Sequence, residues 1–339
     1  MSERKISWYR SPVKREILAE LNQRSDWKGF LYTFGNLGLL ALTAGLSWYA
    51  TIHWPVWMSV LLIFLHGTFF AFLLNAFHEF CHKTVFKTNF LNMFFLQLIS
   101  FLSWYNPVLF WTSHQEHHKF TLHPPYDLEV VLPVDLQFIA FLKVSLINPW
   151  EFVNRLKGFV RISFGKLEGE WENALFPEKS VELRRSLFNW ARLHLIGHTV
   201  IVVVSLYFGL WQIPILLTLA PFYAGGLQYL CNNAQHSGLQ DNILDYRLCC
   251  RTIILNPFLS FLYWNMNYHT EHHMYAAVPC YNLSKLHAQI KSDLPTCPVG
   301  LVQTWKEIIP ILKKQKIDPT YQYVAPLPST ARNANNVTG

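Results

Sequence analysis

The chain has 339 residues, enough for one large domain or two small ones, and its 51% hydrophobic and 14% charged residues exclude an ordinary soluble composition. The 13 Trp, 15 Tyr and 26 Phe suit a membrane boundary or an apolar tunnel. A net charge of +7, spread along the chain with no dense basic run and no nucleic-acid motif, excludes a nucleic-acid partner and fits one basic face of a membrane protein.

In chain order, residues 1–29 are polar, lack the apolar stretch of a secretory leader and are expected to stay in the cytosol. A helix crossing about 30 Å of hydrocarbon needs about 20 uncharged residues. Four segments qualify: about 30–51, 54–77, 193–211 and 213–231, forming two hairpins that turn at Ile52-His53-Trp54-Pro55 and near Gly209 to Pro214. Of the 28 Lys and Arg, seven precede the first span, twelve lie between 83 and 192, and nine follow the fourth. Neither hairpin loop carries one, so both termini and the long middle segment are expected to be cytosolic. The uncharged stretch Thr88–Ser113 could also cross. A crossing there would separate histidine clusters and misplace later basic residues, so it is read as interfacial, as is the shorter run Thr252–Tyr268. The segment 30–324 is the membrane domain, and the polar tail 325–339 is expected to be disordered. The expected fold is thus all-α, with four spans, interfacial helices and a cytosolic helical cap. Six cysteines without framework spacing predict no disulfide.

Eight of the 15 His fall in three groups: His78-Glu-Phe-Cys-His82, His114-Gln-Glu-His117-His118 and His269-Thr-Glu-His272-His273. Residues three and four apart share a helix face, so each group can aim its imidazoles at one place. Imidazole suits Fe, Zn, Cu or Ni, and the residue type leaves the metal open. Eight or nine imidazoles exceed what one tetrahedral zinc accepts and suffice for two metals with positions left for O₂. The pattern also repeats: hairpin, histidine, apolar segment, His-x-x-His-His, with 32 residues from His82 to His114 and 33 from His236 to His269.

These three groups resemble the histidine boxes of the membrane fatty acid desaturase superfamily, over about residues 30 to 300. The resemblance implies a non-haem diiron centre using O₂, with two Fe ions held by His78, His82, His114, His117, His118, His269, His272 and His273. It further implies His236 as a ninth ligand, with Asn232, four residues earlier, as an auxiliary group; Asn233 is the less favoured choice. An acyl chain would enter an apolar tunnel between the helices. No His-Pro-Gly-Gly haem motif or nucleotide fingerprint occurs, so a separate cytochrome b5 or ferredoxin with its reductase is implied as electron donor.

Metal-bound histidine commonly donates its other N–H to a carboxylate, which makes Glu79, Glu116, Asp127 and Glu271 candidate orienting partners. Cys81 and His123 are read as bystanders, and His53 and His287 as ordinary. His66, His194 and His198, inside spans, are assigned to hydrogen bonding between helices. The sequons at Asn282 and Asn336 are expected to be unglycosylated on the cytosolic side. The expected activity is fatty acyl desaturation, in the endoplasmic reticulum of a eukaryote or the inner or plasma membrane of a bacterium. The alternatives are a hydroxylase or ketolase with the same core, a zinc protease using His78-Glu79-x-x-His82, and a non-enzymatic metal or lipid carrier.

Overall fold

The computed structural model describes residues 6–332, so the Asn336 sequon lies outside the described residues. Among these the chain is helical, with only isolated β-bridges. A short α1 (Arg15–Leu21) leads into α2 (Asp26–His53), α3 (Val56–Ala71) and α4 (Leu73–His82). After α5 (Asn89–Ser103) and α6 (Pro107–Phe120), α7 (Phe138–Ser145), α8 (Pro149–Ser163) and α9 (Gly169–Leu175) precede the long α10 (Val181–Tyr207). The remainder is short except for its last member: α11 (Gly226–Asn233), α12 (Tyr246–Cys249), α13 (Pro257–Leu262), α14 (His269–Met274), α15 (Leu283–Ile290) and α16 (Gly300–Ile317).

Three helices are long and apolar enough to cross a membrane: α2, the joined α3 and α4 (Val56–His82), and α10. Only 28% of the apolar window of α2 and of α10 is buried, so most of their hydrophobic side chains face outward, as in contact with lipid. The second span runs further than predicted and carries His78 and His82 on its final turns. The third starts twelve residues before its predicted beginning.

The fourth predicted span, 213–231, is not one helix. A π-helical turn (Pro214–Thr218) and a 3₁₀ turn (Ala220–Phe222) are followed by extended backbone before α11. Pro214 and Pro221 withhold ladder donors, and Ala224 takes φ +56°. The freed backbone groups pair with the end of α7 and the loop after it: Ala224 N donates to Leu146 O and Gly225 N to Val144 O, each at 2.9 Å, and Asn148 N donates to Phe222 O at 2.8 Å. Such pairing is what lets non-helical backbone persist inside an apolar protein.

The Thr88–Ser113 stretch forms α5 and the start of α6, bent by 103°. Trp104 closes α5 in the left-handed region (φ +59°). Asn106 then caps α6, its Oδ1 accepting from Val108 N (3.0 Å) and Leu109 N (3.3 Å), with Pro107 as first residue. Its Nδ2 donates to Leu187 O of α10, fixing the bend against that helix. This local chemistry prevents a straight crossing.

Between the spans, His66 bonds Thr43 Oγ1 and Leu216 O, each at 2.9 Å, and His198 bonds Thr218 Oγ1 and Phe101 O, each at 3.1 Å. His194 departs from the expected role: both ring nitrogens lack partners, and the ring stacks on Phe159 with centroids 4.2 Å apart. Near the C-terminal end of the described residues, the Thr330 hydroxyl donates to Ser292 O, and Arg332 is held through its backbone by Arg247 and Asp293. Asn282 is buried and donates to Leu21 O, a position closed to a glycan, and all six cysteines are free thiols.

Candidate metal centre

Four pieces of chain converge. The end of α4 supplies His78 and His82, α6 supplies His114, His117 and His118, the turn after α11 supplies His236, and α14 supplies His269, His272 and His273. They form two groups in which all ligand atoms lie within 4.8 Å of one another: His78, His82, His114, His118 and His272 in one, and His117, His236, His269 and His273 in the other. The groups adjoin, with the rings of His118 and His273 4.6 Å apart. Every box histidine is therefore in the cluster, and His236 joins it. Cys81, His123, Glu116 and Glu271 stand outside both groups.

The far ring nitrogens explain the orientation. His78 Nδ1 bonds Glu79 Oε1 at 3.0 Å, His117 Nδ1 bonds Asp127 Oδ2 at 2.8 Å, and His236 Nδ1 donates to Cys249 O at 2.8 Å. Asp127 is fully buried and also accepts from Leu122 N and Glu129 N. Burial would raise its carboxyl, but the charge and hydrogen bonds of His117, with the two backbone N–H groups, hold it below the usual carboxylate range.

Two predicted orienting partners do otherwise. Glu116 pairs with Lys119 at 2.7 Å, because its position in α6 points away from the cluster. Glu271 accepts from Thr252 Oγ1 and His287 Nδ1, so it anchors α14 to the chain around it, and His287 is a structural partner, not an ordinary surface residue. Glu129, which the sequence reading missed, takes the place left open: its Oε1 accepts from His114 Nδ1 at 2.7 Å and its Oε2 from Ser113 Oγ at 2.8 Å.

This arrangement fits a pair of cations. With Nδ1 of His78 and of His114 facing carboxylates, both Nε2 atoms turn lone pairs toward each other across 2.8 Å. His82 Nε2 is buried without any partner beside them. A positive ion among these nitrogens removes both costs, and carbonyl- or carboxylate-backed imidazoles are what metal sites use. Burial pushes His236 down to about 3 and holds His269, His272 and His273 well below their ordinary value, so these rings are neutral near pH 7, the form in which imidazole can bind a metal.

Asn232 lines a chamber of about 220 Å³ together with His78, His114, His117, His236 and His269. Asn233 instead turns its amide back to Tyr229 O. Tyr105, Phe110 and Glu129 also line a larger, open cavity of about 600 Å³.

Among the described residues, an all-helical fold with helices long and apolar enough to cross a membrane, and nine histidines gathered in two groups that could hold metal ions, defines the class: a membrane protein with a candidate metal centre. The family model described as Fatty acid desaturase matches residues 52–305, and the chain belongs to that family. A search among curated proteins gives no match.

Proposed function

We propose that the protein is an O₂-dependent membrane diiron oxidoreductase that introduces a C=C bond into a fatty acyl chain. The observation that carries this reading is the pair of adjoining imidazole groups, five and four, each with two rings backed by acceptors. One iron would be held by His78, His82, His114, His118 and His272, and the other by His117, His236, His269 and His273, with Asn232 at its side. When bound, the irons supply the O₂ chemistry that removes hydrogen from an unactivated carbon, using two electrons from an outside carrier such as cytochrome b5 or a ferredoxin.

The chain's own residues do the rest. Glu79, Glu129, Asp127 and the Cys249 carbonyl fix the tautomer and aim of four rings. Leu74, Phe110, Val130 and Met266 line the chamber with apolar surface that keeps bulk water from the reacting carbon. The basic residues flanking the spans support a cytosolic face for this site and for both termini.

Glu79 speaks against the zinc protease reading: its carboxyl is committed to the back of His78, whereas a general base must face the metal-bound water. The test has two parts. Metal analysis of the purified protein should give two irons per chain, and lipid profiles of a host expressing wild type or His114→Ala should differ by an unsaturated product. One zinc per chain defeats the diiron assignment. Two irons with a hydroxylated or keto product in place of an alkene moves the reaction to the hydroxylase or ketolase alternative.

A further inference from the structure

The larger cavity abuts the histidine chamber, sharing Tyr105, Phe110 and Glu129 with it, and the rest of its wall is mostly apolar, with Trp104, Leu109 and Phe159 prominent. Five ionisable groups also line it: Glu129, Glu151, Arg155, Arg161 and Glu172. Neither guanidinium is free. Arg155 gives Nη2 to Glu151 at 2.7 Å and Nη1 to Trp104 O at 3.3 Å, and its carbon lies 4.4 Å over the Tyr105 ring. Arg161 is bound bidentately by Glu172, at 2.6 and 2.7 Å, with Glu168 at 3.1 Å from its Nε. Glu151 and Glu172 each match one of these cations, which leaves Glu129, held by His114 and Ser113, as the one carboxylate of the wall without a guanidinium: an anionic headgroup entering here would meet no free cation and a surplus negative charge.

We propose that this cavity admits the substrate and that the substrate is a lipid with an uncharged head, such as an alcohol, ester or amide, in preference to a free carboxylate or a phosphate-bearing acyl thioester. The proposal rests on the functional reading above for its reaction. Its volume of about 600 Å³ suits a small lipid-like ligand. Aromatic walls supply apolar contact, and Asn154 at the lining offers an uncharged amide. Selectivity against anions follows from like-charge juxtaposition, not from any new contact.

Gly158 of α8 gives the means of testing it, because a Cβ added there meets nothing within 4 Å and a larger side chain would project into the cavity. The experiment uses the full chain in detergent without added iron. Photoreactive sixteen-carbon probes ending in an alcohol, a methyl ester, a carboxylate or a phosphate are cross-linked to it, and labelled peptides are mapped. The alcohol and the ester should label residues 104–113 and 151–172 saturably, about tenfold more tightly than the two anions. Gly158→Phe should lower that labelling at least about tenfold, with an unchanged thermal-unfolding midpoint in detergent showing that the variant is folded, while Gly158→Ala keeps it. Glu151→Gln, by releasing Arg155, should narrow the gap between carboxylate and alcohol. Equal or tighter labelling by the anions, labelling elsewhere, or labelling that survives Gly158→Phe overturns the proposal. Since neither iron nor turnover is read in the binding step, a wrong reaction assignment and a wrong substrate class fail separately.

Discussion

Removing the Glu129 carboxylate should loosen one iron and spare the other. Glu129→Ala deletes the acceptor of His114 Nδ1 (2.7 Å) and of Ser113 Oγ (2.8 Å), leaving a buried imidazole free to take the wrong tautomer. Loss of such an outer partner typically costs ten- to a hundredfold in metal affinity, or about 1.4 to 2.7 kcal/mol. The loss should fall on the group containing His114, because the backed rings of the other group, His117 and His236, rest on Asp127 and the Cys249 carbonyl, which the substitution leaves in place. Glu129→Gln keeps one acceptor oxygen and should lose less than about tenfold. The assay is iron retained per chain as a chelator is titrated against anaerobically loaded full-length protein. Wild type should release two irons at high chelator, and Glu129→Ala should release one of them about one to two decades earlier. Glu116→Ala, which disturbs only the pair with Lys119, should track wild type. If Glu129→Ala also tracks wild type while remaining folded, the backing hydrogen bond does not set affinity and the assignment of His114 to a metal is wrong.

Gly67 is the point where the second span meets the broken segment: an added Cβ would contact the Tyr223 ring and lie 2.9 Å from the Tyr223 carbonyl, which cannot swing away. Gly67→Ala should cost about 1 to 3 kcal/mol, whereas Gly45→Ala, with nothing within 4 Å, should be neutral in the same detergent thermal-unfolding assay; equal midpoints would show that the approach is looser than drawn. For the iron-free protein, stability should fall with acid, because the unfolded chain takes up protons below about 6.5 that His236, held near 3, and His269, His272 and His273 refuse in the folded state. The contribution is complete above about pH 6.5 and declines as pH falls toward about 3. Unfolding midpoints at pH 7.5, 6.5 and 5.5 test this, and a midpoint that stays flat or rises on acidification refutes it.

The cluster was legible because three- and four-residue spacing repeats in chemistry-bearing residues, and such spacing survives whatever the distant chain does. His236 carries no local three- or four-residue pattern; the 33-residue spacing to His269 marked its place, and the ligand role came from the family resemblance. Glu129 was harder. Its partner His114 is fifteen residues away, the pairing depends on how the loop after α6 folds back, and the only hint was a second acid two residues beyond Asp127. Glu116 and Glu271 were chosen for lying inside a box, but adjacency in a helix turns neighbouring side chains to different faces. The fourth span failed for a related reason: an uncharged run reports apolar surroundings and not helical continuity. Pro214, Pro221 and the Gly225-Gly226 pair were visible punctuation, whereas the end of α7 and the loop after it, which satisfy the backbone there, were not.

The irregular places in the fold are those that deliver histidines. In each half an irregular segment follows the spanning helices and returns the chain toward the site. In the first half the 103° bend at Trp104–Asn106 returns α6 toward the end of α4, bringing His114 within 2.8 Å of His78. In the second, the break at Pro221 and Ala224 shortens the last helix to α11, so that His236 follows within three residues of its end and meets His269 at 2.9 Å. Each break is held by a neighbour: at the first the Asn106 side-chain amide donates to Leu187 O, and at the second the backbone N–H groups of Ala224 and Gly225 donate to Leu146 O and Val144 O. The same contacts that make the breaks tolerable therefore fix where the imidazoles stand, which ties the integrity of the site to segments that carry no histidine at all.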